Sequence, residues 1–127
     1  MNVFTEQATF MQACGQAVGA FDEDQYNMYL GLIEEEMKEL QVAVDSMDKV
    51  EQLDALIDIL VVTIGALHSA GFDAAGAWSE VMSTNFAKID KETGKVRKRA
   101  DGKVLKPADW QPPNLAPFVK AAVNPCN

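Results

Sequence analysis

Apolar residues recur at three- and four-residue spacing in four stretches of this chain, so helices are expected there. The first stretch is a helix over 4–14, with Phe4, Phe10, Met11 and Cys14 as its apolar points. Gly15, Gly19 and the acidic run FDED mark a loop after it. A second helix is expected from about Gln25 to Val44, where Tyr29, Leu32, Ile33, Met37, Leu40 and Val44 share one face. DSMD at 45–48 is a short polar turn, and Asp48 followed by Glu51 reads as a capping box. The third helix then covers 49–69. Gly71 ends it, and Asp73 caps a fourth helix reaching Lys88 or Ile89, striped by Trp78, Val81, Met82, Asn85, Phe86 and Ile89.

The pattern changes after residue 90. ETGK and ADGK bracket KVRKR, which predicts a small hairpin or ordered loop. Pro107, Pro112, Pro113 and Pro117 predict an extended tail without regular helix, docked through Trp110, Leu115 and Phe118. The expected organisation is a helical catalytic domain over 1–90, with a basic arm and tail over 91–127 that docks on the body or on a partner subunit. The second half of the third helix, ILVVTIGAL, is apolar nearly all round. A short chain can hardly wrap such a helix, so part of it is expected in an oligomer interface.

Composition narrows the function. With 127 residues, 48% hydrophobic and 24% charged, the chain suits one globular domain. No basic-plus-apolar leader opens it, and Asp58 interrupts its longest apolar run, so neither a secretory signal nor a membrane span is expected. Cys14 and Cys126 are read as reduced thiols of a cytoplasmic protein. The net charge of -8 is unevenly spread, because eight of the eleven basic residues lie between Lys88 and Lys106. That basic arm is either a solvated surface or a contact for phosphates or an acidic neighbour. Duplex nucleic acid is not an expected partner, since the acidic body would repel it.

The candidate chemistry lies in two acid clusters, Glu35/Glu36/Glu39 and Asp54/Asp58. In an antiparallel hairpin turning at 45–48, paired positions sum to about 94. Glu36 is then level with Asp58, and Glu39 lies beside Asp54, so all five carboxylates can reach a common centre. An acidic run alone is more often a solvated helix face. Asp58 tips the balance, because its flanks LI and ILVV would bury it and a buried charge needs a partner. No lysine or arginine is near in sequence. An all-oxygen set suits hard divalent ions, Mg²⁺ or Mn²⁺. The lone His68 and two distant cysteines do not suit zinc, and no Glu-x-x-His pair suits a di-iron site.

These residues resemble the all-α nucleoside triphosphate pyrophosphohydrolases, which include MazG-like proteins, dimeric dUTPases and phosphoribosyl-ATP pyrophosphohydrolases. Glu35, Glu36 and Glu39 (EEMKE) match the family's EExxE. DALIDILVVTIGALHSAGFD looks like its third helix, with Asp58 at the metal-binding aspartate. Ala55 departs from the pattern, standing where the family has glutamate; Asp54 is the expected replacement, with Glu51 the alternative. TNFAKID resembles the Asn-x-x-Lys element, which implies that Asn85 and Lys88, on one helix face, meet the substrate phosphates or the nucleophilic water. DGKVLKPADWQPPNL is similar to the tail of a phage and bacterial MazG-like subgroup.

The resemblance implies an antiparallel four-helix-bundle-type fold and a homodimer or dimer of dimers. It implies Mg²⁺-dependent hydrolysis of a (d)NTP to (d)NMP and pyrophosphate, with Glu36 or Glu39 acting on the water and Glu35, Glu36, Glu39, Asp54 and Asp58 holding metal. Two other readings stay open. One is a non-catalytic, metal-stabilised helical dimer serving as a binding module. The other is a hydrolase of a phosphoribosyl-nucleotide or nucleoside diphosphate. Phe10, Gln16, Tyr26, Tyr29 and Trp78 are candidates for a base pocket, and spacing does not choose among them.

Overall fold

Short polar side chains set where three of the helices begin. A computed structural model of the protein describes residues 2–120; Cys126 and the last part of the expected tail lie outside them. Helix α1 (Val3–Ala13) is capped by Asn2, whose Oδ1 accepts the Thr5 N–H. Helix α2 (Glu23–Asp45) is capped by Asp22, whose Oδ1 accepts the Gln25 N–H. It starts earlier than the pattern suggested: Glu23 and Asp24 belong to its first turn, where the helix dipole favours negative charge. Helix α3 (Lys49–Ser69) is capped by Asp48, as expected. Helix α4 (Ala74–Phe86) completes an all-α chain, with no named strand among the described residues.

Three contacts fix the register of the α2/α3 hairpin. Gln25 Nε2 donates to Ser69 Oγ at 2.8 Å. The Tyr29 ring lies against the backbone of Gly65, where a β-carbon would overlap the ring. Gln52 Nε2 donates to the Ala43 carbonyl. The paired numbers sum to 94 or 95, the register inferred from the turn. Gly65 is therefore required by packing, because a methyl group there would displace Tyr29.

The core lies toward the open end of the hairpin. Met11 is fully buried and packs with Tyr29 and Ala66, supported by Val18, Leu32, Ile33 and Val62. Helix α1 packs on α3. His68 is buried there, and its Nε2–H donates to the Phe4 carbonyl at 2.8 Å, which fixes the tautomer. The loop between α1 and α2 is clamped by Gln25, which accepts the Ala17 N–H and donates to the Ala17 carbonyl. Gly71 (φ 77°) closes α3 in a left-handed turn and brings its backbone 3.0 Å, measured from the β-carbon position, from the Phe21 nitrogen.

The described chain divides into two compact units, a helical unit up to Ala74 and an arm unit over Ala75–Phe118. In the arm unit α4 stops at Phe86, two or three residues short of the expected end, because Ile89 leaves the helical ladder to bridge Val96. A second antiparallel bridge joins Lys98 and Val104, so the basic segment is an ordered, hairpin-like loop. The tail is tied to α4 by the Trp110 indole N–H, which donates to the Thr84 carbonyl, and by the Asn114 N–H, which donates to Glu80 Oε2 (both 2.7 Å). One 3-10 turn, Ala116–Phe118, interrupts the otherwise irregular tail.

Candidate active site in the helical hairpin

The register brings carboxylates onto the inner side of the hairpin. Glu36 follows Tyr29 by seven residues on α2, so it shares the face that meets α3. Its Oε2 is buried and has no hydrogen-bond partner. Burial pushes the Glu36 carboxyl above the usual carboxylate range, and the Glu39 carboxyl, then Asp58 and Asp54, push it the same way. Asp58 is half-buried and is also raised, first by burial and then by Asp54 and Glu39. Four carboxyl groups thus act on one another, Glu36 and Asp58 half-buried and Glu39 and Asp54 exposed.

The structure gathers Glu36, Glu39, Asp54 and Asp58, and it leaves Glu35 out of that group. Glu35 is exposed on α2 and does not contribute to the perturbation of Glu36 or Asp58. Among the described residues no three acidic, histidine or cysteine side chains stand together at metal-ligating separations. The hairpin therefore holds a strained electrostatic cluster without a closed coordination shell. The Arg99–Asp101 ion pair lies elsewhere, on the arm. The repulsion inside the cluster has no internal cation to offset it.

Asn85 and Lys88 are placed differently from the expectation of one helix face. Asn85 is in the last turn of α4, and Lys88 lies in the turn beyond it. They still meet, because Lys88 Nζ donates to Asn85 Oδ1 at 3.1 Å. Lys88 also lies 5.2 Å from the centre of the Trp110 ring.

Among the base-pocket candidates, Tyr29 belongs to the core. Its hydroxyl donates to Gln16 Oε1 at 2.6 Å, and burial raises its pKa. Tyr26 is half-buried and stands edge-on to Phe21, with ring centres 6.0 Å apart. Phe10 and Trp78 are exposed. The sequence pointed to Trp110 as a docking residue but showed neither its acceptor, the Thr84 carbonyl, nor the Gln25 clamp. Neither contact leaves a periodic signal, since each is one polar group satisfying backbone far away in sequence.

A family model described as phosphoribosyl-ATP pyrophosphohydrolase matches residues 7–85, which is more than half of the chain. No curated protein gives a match. The matched span contains the whole hairpin and every carboxylate of the cluster, and the helical, strand-free architecture agrees with it. The chain therefore belongs to the phosphoribosyl-ATP pyrophosphohydrolase family, within the all-α nucleoside triphosphate pyrophosphohydrolase superfamily, and is a hydrolase of phosphoric anhydrides.

Proposed function

We propose that this protein is a Mg²⁺-dependent nucleoside triphosphate pyrophosphohydrolase that converts a (d)NTP and water to (d)NMP and pyrophosphate, serving nucleotide-pool housekeeping. The observation that carries this reading is the orphaned, buried Oε2 of Glu36 among three further carboxylates. That donor set suits a hard divalent cation, because it offers only oxygen and holds negative charge that nothing in the hairpin neutralises. Glu36, Glu39, Asp54 and Asp58 are the residues that would hold it; Glu35, exposed on α2, is not among them. Mn²⁺ would suit the same set. When bound, such an ion neutralises polyphosphate charge and makes water more acidic.

The chain's own groups would do the rest. A carboxylate held above its usual pKa is a better proton acceptor than an ordinary one, which suits Glu36 to take a proton from the attacking water, with Glu39 beside it as the alternative base. The water oxygen bonds to the α-phosphorus, the α–β anhydride breaks, and the bridging oxygen leaves with pyrophosphate. Asn85 and Lys88 would bind substrate phosphates, with Lys88 held ready by Asn85. The test is pyrophosphate release across a nucleotide panel, with and without Mg²⁺. Glu39→Gln and Asp58→Asn are each expected to lose roughly 10³-fold in rate while keeping the helical circular dichroism signal. Full activity in both variants would overturn the site. The matched family's name supports a second substrate reading, a phosphoribosyl-linked nucleotide, so phosphoribosyl-ATP belongs in the panel.

We also propose that the working form is a homodimer or a dimer of dimers. On α3, Leu53, Ile57, Leu60 and Val61 form a stripe that is between 37% and 63% exposed. A contiguous apolar stripe of that kind supports association. Light scattering should give at least a dimer, and Leu60→Glu should shift it to monomer. A monomeric wild type would refute the assembly.

A further inference from the structure

The arm unit contains a cleft of about 1120 Å³, lined only by residues between Glu80 and Pro112. Single phosphates need far less space, and small-molecule sites usually span about 300–1,000 Å³. Three cations line it, Lys88, Lys91 and Arg97, together with apolar surface from Phe86, Ile89 and Trp110. Phe86 is 61% exposed, so a large aromatic face remains uncovered. Trp110 is held in place by its N–H bond to Thr84, and the ammonium groups of Lys88 and Lys106 lie 5.2 and 4.6 Å from its ring centre. That gathers positive charge around a fixed indole.

Three carboxylates also line the cleft, and two are already committed. Glu80 Oε2 accepts the Asn114 N–H, and Asp90 Oδ1 accepts the Glu92 N–H at 2.8 Å, holding the turn. Asp109 is the third. Among the described residues neither Lys91 nor Arg97 forms an ion pair. The arm unit as a whole has five acidic and eight basic residues, so its field favours an anion.

We propose that this cleft binds a nucleotide, with Lys91 and Arg97 on its phosphates and the Trp110–Phe86 surface against its base. Cations beside an exposed aromatic face match a ligand that is anionic at one end and flat and aromatic at the other. Most of the cleft lies beyond the span that matches the family, and the proposal uses none of the hairpin carboxylates. It shares Lys88 with the proposed phosphate-binding pair and is otherwise tested independently of the hairpin carboxylates.

The test is a titration of the full-length chain with a nucleoside triphosphate carrying a non-hydrolysable methylene bridge between its α and β phosphorus atoms. In Trp78→Phe, Trp110 is the sole tryptophan, and its emission should change saturably. Lys91→Ala with Arg97→Ala should weaken binding at least about tenfold, since a lost charge-assisted bond is worth about that much. Calorimetry on the chain with both tryptophans repeats the measurement should Trp78→Phe fail to fold. Two ligands per chain would identify a site separate from the substrate's. One ligand, with a raised KM in the double variant, would place the substrate's own phosphates here. Either result supports a nucleotide in the cleft. An unchanged Kd in the double variant, or no saturable binding by both methods, overturns it.

Discussion

Residues 1–74 carry 14 acidic and two basic side chains, whereas residues 75–118 carry five acidic and eight basic ones. The two compact units divide at nearly the same place, so each has a charge sign of its own. They are also built differently. The helical unit is held by a long antiparallel hairpin packed on Met11, Tyr29 and Ala66. The arm unit has one helix and two isolated bridges, and polar anchors at Thr84 and Glu80 hold its tail. The difference teaches where strain is tolerated. A well-packed hairpin can hold several carboxylates together against their repulsion. A loop-built unit, with less packing behind it, displays its cations on the surface.

The sharpest way to challenge this contrast is to remove the repulsion. Glu36 and Asp58 both have pKa values raised in the fold, chiefly by burial. A carboxyl raised on folding binds its proton more tightly in the native state. Its stabilising contribution is complete below the ordinary carboxylate range and is lost as pH rises through the folded pKa. Without divalent ions, Glu36→Gln/Asp58→Asn should therefore melt higher than the wild type at neutral pH. The gap should close toward pH 4. Mg²⁺ should raise the wild-type Tm at neutral pH and do little for the double variant. Thermal melts at several pH values would decide. A variant that melts lower than wild type at pH 7 would mean that these carboxylates stabilise the hairpin and that the repulsion is offset elsewhere. The same substitutions are expected to abolish hydrolysis, so stability and activity should move in opposite directions.

The two units were not equally legible in the sequence. The α3 boundaries, the Asp48 cap and the hairpin register could be read because apolar spacing and turn chemistry are local signals. Register then placed Glu36 beside Asp58 with no knowledge of side-chain conformation. Which acids interact depends on helix rotation, and a step of 100° is enough to carry Glu35 out to solvent. The end of α4 was overestimated because Ile89 fits the apolar stripe of the helix, yet it is used in a bridge to Val96. Tyr29 passed for a base-pocket residue because an aromatic side chain at helical spacing looks the same whether it meets a ligand or a glycine across the hairpin. Trp110 could be read as a docking residue of the tail, but the anchors' partners could not, because a tryptophan N–H and a backbone amide find them 26 and 34 residues away.

The smallest effect is the one that tests whether the two units are distinct at all. Trp110→Phe keeps an aromatic ring and removes the 2.7 Å bond from the indole to the Thr84 carbonyl. Losing one such bond costs about 1 kcal/mol. If the arm opens on its own, that cost falls on arm opening alone. The Arg99 and Leu105 amides, bonded to the Lys103 and Arg97 carbonyls, report on it directly. Their hydrogen exchange should quicken about fivefold, while amides inside α2 and α3 keep their rates. Equal acceleration in α2 and α3 would show that arm and hairpin open as one cooperative block. The contrast in charge would then be a matter of surface only, with no counterpart in how the molecule unfolds. Unequal acceleration would instead tie the charge boundary to a boundary in stability, and a hairpin strained by its own carboxylates would have to hold itself together without help from the arm.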